Sequence, residues 1–248
     1  MPGSKTPGSW GIISCSNTIN DGTSALIPSP LTGPVDITEK SCASETNSLS
    51  AEGHLLAAVI FGESSGANIF EEMAGIGAVL VRQAEARGYN TVLSFLESSE
   101  AKKFTLVLVD GNTRFKQMKE AKIVDINNMP GLALAVKAAR HAINKLNDFS
   151  GGGYFWDGED LRSNYGKHPK VLLGMRFTDQ KHDIYKVGEK SIEKIEYWYI
   201  KDPKGIVQKG KERGRYTYTY ESPAAYGGTI FWRYASEYLK ATGNKEYK

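Results

Sequence analysis

The chain has few cysteines, little net charge and no long apolar run. Of its 248 residues only Cys15 and Cys42 are cysteine, and no Cys-x-x-Cys occurs. A thioredoxin-type redox pair and a zinc knuckle are therefore excluded. The two thiols either close a disulfide in an oxidising compartment or stay free. The longest apolar run, Leu55–Phe61, is seven residues, against the roughly 18–20 that a membrane-spanning helix needs, so membrane insertion is not expected. The first residues, Met1-Pro2-Gly3-Ser4-Lys5, lead into Ser, Thr, Asn, Pro and Gly and lack the apolar core of a Sec signal. The net charge of +3 is too small to point to nucleic acid. It is unevenly spread: Lys167–Lys248 holds 17 basic and 10 acidic residues (+7), and residues 1–50 hold 2 and 4 (−2). The basic C-terminal third suits an anionic polymer at short range or an ordinary solvated surface.

Five of the nine prolines fall before residue 35, and with Gly, Ser and Thr they mark residues 1–50 as a flexible arm. Pattern begins at Leu49. Ser50 caps an expected helix from Ala51 through Leu55, Leu56, Val59 and Ile60. A second helix, Ile69 to about Arg87, carries Ile69, Met73, Ile76, Val79, Leu80 and Gln83 at three-and-four spacing and stops at Gly88. Thr91–Glu97 reads as a short helix or turn, and Phe104–Val109 as a strand ending at Asp110-Gly111. Pro130-Gly131 opens a helix to about Leu146, broken by Gly151-Gly152-Gly153. Beyond it, Tyr154-Phe155-Trp156 reads as an aromatic strand or loop, Lys194–Ile200 and Arg215–Tyr220 alternate like strands, Gly227-Gly228 precedes Thr229-Ile230-Phe231-Trp232, and Arg233–Ala241 reads as a last helix. A helical half followed by a strand-containing half is an α+β fold. One domain is expected over 51–248, with an extension from about 158.

The informative stretch is Ala57-Ala58-Val59-Ile60-Phe61-Gly62-Glu63-Ser64-Ser65-Gly66-Ala67. Gly62-Glu63-Ser64-Ser65-Gly66 fits G-x-S-x-G, in which Ser64 would be an esterase nucleophile on a strand-to-helix elbow and His141, His168 or His182 its base. Against this, no alternating strand–helix pattern and no oxyanion loop precede it. The other reading takes Glu63 as the chemical group. A carboxyl group backed by Val59, Ile60 and Phe61 is partly desolvated and holds its proton near neutral pH, as a glycosidase general acid must; on these residues alone Glu63 equally suits a cap on the following helix or a solvated position.

Ile60-Phe61-Gly62-Glu63-Ser64-Ser65-Gly66, Phe70-Glu71 and the helix Ala74–Arg82 resemble the opening motif of the SleB/CwlJ-type cell-wall hydrolases. Later pieces follow in the family's order: Phe104-Thr105, the alanine-rich helix Ala133–Ile143, Asp148, Gly151-Gly152-Gly153 and Tyr154-Phe155. The likeness covers about residues 52–157. It implies a lysozyme-like fold and cleavage of the MurNAc–GlcNAc β-1,4 bond of peptidoglycan, by a muramidase or a lytic transglycosylase. Ala67 stands for the family's second Glu, Met73 for its Gln and Arg82-Gln83 for its Asn-Arg, so the catalytic role is carried onto Glu63 alone. A chain that has lost this chemistry would instead be a peptidoglycan- or partner-binding module.

A second carboxylate would convert a transglycosylase scheme into hydrolysis; Asp157 and Asp160 are the candidates, and Asp157, after three aromatics, either faces sugar or starts a turn at Gly158. Ser65, Thr105, Tyr154, Trp156 and Tyr226 are the expected substrate contacts; Phe155, Trp156 and Tyr226 also suit core packing. Asp110 reads as a turn residue. Asp179, His182 and Asp183 are a fragment of a metal site, better read as local hydrogen bonding. No metal and no cofactor are expected. A wall-degrading enzyme without a Sec signal implies another exit, such as type VI secretion into a target cell's periplasm or release as a phage lysin. The toxin case implies a secretion apparatus and a cognate immunity protein as partners.

Overall fold

A computed structural model describes residues 49–248. Cys15, Cys42 and nearly all of the expected arm lie outside the described residues. From Leu49 the chain runs through seven helices: α1 (Ala51–Glu63), α2 (Phe70–Ala86), α3 (Val92–Leu96), α4 (Ser99–Phe104), α5 (Thr113–Glu120), α6 (Ile123–Asn128) and α7 (Pro130–Ile143). Strand β1 (Phe155–Asp157), short helices α8 (Asp160–Ser163) and α9 (Pro169–Leu173), and strand β2 (Met175–Phe177) follow. Strands β3 (Lys194–Lys201), β4 (Val207–Tyr216), β5 (Tyr220–Tyr226) and β6 (Thr229–Tyr234) and helix α10 (Ser236–Thr242) complete the fold. The fold is α+β, helical first and strand-containing after.

Ser50 caps α1 as its sequence predicts, its Oγ accepting from the Gly53 amide at 3.1 Å. Leu56–Phe61 are buried on every side of α1. A helix apolar all round belongs in the core, and α1 is wrapped by α2, α3, α5 and α7. The four-stranded sheet has the order β1-β6-β5-β2, antiparallel except for the parallel β2/β5 pair. Phe231 of β6 joins the helical core, while Trp232 and Ile230 pack a second core with Leu161, Val171, Met175 and Phe177. Three strands of this sheet lie beyond residue 158, so the C-terminal part completes β1's sheet and is no appendage.

Two local readings are corrected. Phe104–Val109 is not a strand: the Thr105 amide closes α4 onto Ala101 O at 2.8 Å, and the Val109 amide bonds Leu106 O at 2.8 Å around a 3-10 turn, Leu106–Leu108. Short-range bonds satisfy this backbone, and no strand among the described residues pairs with it. Arg215–Tyr220 is not one strand but the end of β4, a three-residue break and the start of β5. Helices α5 and α6, in a stretch with little apolar periodicity, escape the sequence pattern.

Candidate active site

Glu63 is the last residue of α1, so its position follows from the burial of that helix. No basic residue occupies the last turn of α1; Arg114 of α5 supplies the cation that favours a helix C-terminus. Its guanidinium donates to Phe61 O at 2.8 Å, Ser64 Oγ at 3.3 Å, Ser65 O at 3.3 Å and Asn68 Oδ1 at 3.1 Å, and lies 3.8 Å from the centre of the Phe61 ring. The turn after Glu63 is thereby held rigid.

Glu63 stands at a cleft of about 760 Å³ whose lining also includes Ser65, Leu106, Trp156, Asp157 and Tyr185. Its carboxyl accepts a short hydrogen bond from the Thr105 hydroxyl and one from the Trp156 indole N–H at 3.2 Å. Burial raises the Glu63 pKa above the ordinary 4.5; the Thr105 and Trp156 bonds oppose this without cancelling it, and Asp110 adds to it. The result is a carboxyl group with a raised pKa and two donors setting its orientation, open on a groove.

The far wall is ionic. Lys170 Nζ lies 2.7 Å from Asp157 Oδ2, an ion pair without the alignment of a hydrogen bond. His168, itself buried, places Nε2 3.5 Å from Asp157 Oδ1 and 3.3 Å from Asp160 Oδ2. Burial, the largest influence on this ring, opposes its charge, yet the bonds to Asp157 and Asp160 outweigh it and raise the pKa to about 9. The Lys170 amide faces Nδ1 at 3.3 Å, which favours the neutral ring; one long neutral contact is weaker than two carboxylates. Hydrogen bonding to His168 in turn lowers the Asp160 pKa. Ligand atoms of Asp157, Asp160 and His168 lie within 4.8 Å of one another. The Lys170 ammonium already stands against this trio as its cation, so a metal would have to displace it.

Glu72 is the buried clip between the two halves of the site. Its Oε1 accepts from the Ser65 amide at 3.0 Å, the Gly228 amide at 3.2 Å and the Thr229 hydroxyl at 2.8 Å, and its Oε2 from the Ser65 hydroxyl at 2.7 Å. The turn after Glu63 and the β5–β6 turn are thus tied to one carboxyl group of α2. Gly227, at φ +58°, is where this carboxyl fits: a Cβ there would stand 2.3 Å from Glu72 Oε2.

Of the expected site residues, Glu63, Ser65, Trp156 and Asp157 line one cleft. Thr105 is buried against Glu63 and holds the acid. Two expectations are corrected. Tyr154 sits away from the cleft, its ring 5.5 Å from the Arg82 guanidinium and its carbonyl bonded to Gln83. Tyr226 packs edge-on against Phe149 in the helical core. Ser64 follows a helix and not a strand, and it is buried, bonded to Phe61 O and Arg114 with no histidine partner among the described residues. That is not the geometry of an esterase elbow. The Asp179, His182 and Asp183 side chains each bond nearby or cross-strand backbone. Glu72, Arg114 and Lys170 escape the sequence reading; Asp160 and His168, expected there as a second carboxylate and as an esterase base, meet instead in the ionic wall. Glu72 alone leaves a signal, a charged residue on the apolar stripe of α2 that must find partners when buried.

Comparison of the chain with protein-family models, with curated proteins and with solved structures finds no match in any of the three.

Proposed function

We propose that the protein cleaves peptidoglycan glycan strands at the MurNAc–GlcNAc β-1,4 bond by lytic transglycosylation, with Glu63 as the acid–base group. The observation that carries this reading is a carboxyl whose pKa is raised by burial, oriented by Thr105 and Trp156, at the edge of a cleft of about 760 Å³. A glycosidic oxygen is a poor leaving group until protonated, and a carboxylic acid with a raised pKa supplies that proton. The sequence resemblance of residues 52–157 to SleB/CwlJ-type hydrolases implies the same bond.

The state of Asp157 favours transglycosylation over hydrolysis. A hydrolase needs a second carboxylate free to act as nucleophile or to activate water, and both oxygens of Asp157 face cations, Lys170 and His168. Asp160, the other candidate, likewise faces His168. In the single-carboxyl scheme Glu63 gives its proton to the bridging oxygen as the C1–O bond breaks. The resulting carboxylate takes the proton of the MurNAc C6 hydroxyl, whose oxygen bonds C1. The products are a 1,6-anhydro end and a free 4-hydroxyl, and Glu63 is again protonated. The aromatic face of Trp156 and the hydroxyl of Ser65 are suited to sugar contact.

Purified sacculi treated with wild type and with Glu63→Gln, followed by mass spectrometry of the soluble products, test this. Anhydro-muropeptides released by wild type alone are expected. Reducing ends would assign a muramidase and return Asp157 to the chemistry. Sacculus binding without release by either protein would leave a binding module. The substrate lies outside the cytoplasmic membrane, so toxicity is expected only when the protein is directed to the periplasm; equal toxicity in the cytoplasm would count against it.

A further inference from the structure

Strands β3 and β4 form a two-stranded sheet separate from the main one. Its root is anchored: Tyr216 is buried, and Gly214 approaches Ala241 of α10 so closely that a Cβ would meet its Cα at 2.9 Å. Past the root the ribbon is covered on neither face by the described residues. Trp198, Tyr199, Ile200, Ile206 and Val207 are all more than half exposed, between 53% and 65%. Tyr199 pairs with Lys209, Ile200 with Gln208 and Lys201 with Val207, so successive apolar side chains point to opposite faces. The end of the ribbon is also built firmly. Asp202 Oδ1 accepts from the Lys204 and Ile206 amides at 2.9 Å each, the Asp202 amide bonds Ile206 O at 3.0 Å, and Gly205 takes φ +80° to close the turn.

Charge is concentrated on the same ribbon. Between Lys194 and Tyr216 stand seven basic residues (Lys194, Lys201, Lys204, Lys209, Lys211, Arg213, Arg215) and three acidic ones (Glu196, Asp202, Glu212), a net +4. The whole chain carries +3, so the remainder is −1. Lys209 Nζ lies 3.5 Å from the Tyr197 ring centre and the Arg213 guanidinium 4.5 Å from that of Trp198.

We infer that the β3–β4 hairpin docks, tip first, on the surface of an anionic lipid bilayer. Three features select this occupant. Ile200, Ile206 and Val207 offer nothing to sugar hydroxyls or phosphates, but their transfer into the acyl boundary is favourable. Trp198 and Tyr199 belong to the residue types that settle at the headgroup level. Lysines outnumber arginines five to two in the ribbon; lysine is depleted in protein–protein interfaces, whereas clustered lysines are attracted to anionic headgroups. Apolar groups on both faces fit insertion of the end rather than a ribbon lying flat. Trp198–Lys201 spans about 10 Å at roughly 3.3 Å per residue, and the charged tip residues Lys201, Asp202 and Lys204 keep the insertion shallow, at the headgroups and the adjoining acyl boundary. The contact is peripheral and reversible. It is distinct from spanning, for which no described helix is long and apolar enough, and it holds the cleft beside a membrane whether or not Glu63 cleaves glycan.

The test is co-sedimentation of the full chain with vesicles of phosphatidylcholine alone or of equimolar phosphatidylcholine and phosphatidylglycerol. Binding to the anionic vesicles alone is expected, weakening as salt rises. The pair Lys201→Ala/Lys204→Ala lowers partitioning by about thirtyfold; the pair Ile200→Ser/Ile206→Ser lowers it by about tenfold or more. Circular dichroism identical to wild type, and for an active protein unchanged release from sacculi, shows that the variants are folded. Binding equally to both vesicle types, or to neither, overturns the inference. So does retention of vesicle binding in both tip variants. Binding to soluble heparin that matches vesicle binding and ignores the isoleucine pair assigns the ribbon to a polyanion and equally overturns it.

Discussion

At the scale of single residues, the site turns on how Glu63 is held. Its pKa is raised by burial, so the folded state binds a proton more tightly than the unfolded one. The cost of ionising it is absent below the unfolded value of 4.5 and grows as pH rises through the folded pKa. Glu63→Gln is therefore expected to abolish cleavage while raising the melting temperature more at about pH 8 than at about pH 4, a crossing that paired thermal scans detect. Thr105→Val keeps the shape and removes a hydrogen bond that opposes the shift. It should cost about 1 kcal/mol of stability and move the alkaline limb of the kcat/KM profile to higher pH. An unmoved limb would mean that Thr105 does not tune the acid.

At the scale of elements, the cleft exists because α1, α2 and the β5–β6 turn meet at Glu72. Truncating Glu72 to Ala leaves the Ser65 and Gly228 amides and the Thr229 hydroxyl without their acceptor. A loss of about 3 kcal/mol in urea unfolding is expected, at about 1–3 kcal/mol for each buried group left unsatisfied and with partial relaxation. Gly227→Ala should destabilise by a comparable amount, because its Cβ would stand 2.3 Å from Glu72 Oε2 on a backbone at φ +58°. The two changes strike one contact, so the double variant should fall well short of the sum. The elements were unequally legible. The Ser50 cap, the apolar stripe of α2 and the Pro130 start of α7 are written in a few neighbouring residues. The stretch Phe104–Val109 has strand composition and is nonetheless a helix end and a turn, because its backbone bonds close locally.

At the scale of the molecule, the wall opposite Glu63 is a network of charges that answers to pH. The His168 pKa is raised from 6.5 to about 9. A raised base stabilises the fold fully below its unfolded value, and that contribution disappears as pH rises through about 9. Stability should therefore fall between pH 6.5 and about 9. His168→Gln should flatten that decline while lowering stability on the acidic side, as urea midpoints measured across the range would show. A decline of equal slope in the variant would place its origin elsewhere. Arg82 works at the same scale: it bonds Asp148 and Ser150 and so ties α2 to the glycine turn that delivers β1 and Trp156.

The order of helices before strands, the burial of α1 and the placing of Glu63 at its end were all contained in the chain itself. Each follows from periodicity, capping and the length of an apolar run, which are properties of residues within a turn or two of one another. The partners of Glu63 were not contained there in the same way. Thr105 and Trp156 lie 42 and 93 positions away, and no local pattern records which distant side chain will face a given carboxyl. The same holds for Asp157, whose neighbours in sequence are aromatic and suggest sugar chemistry. Only the tertiary fold brings Lys170 and His168, 13 and 11 positions on, against its two oxygens. Pairing across such separations depends on how whole elements dock, and docking is settled by the summed burial of many side chains.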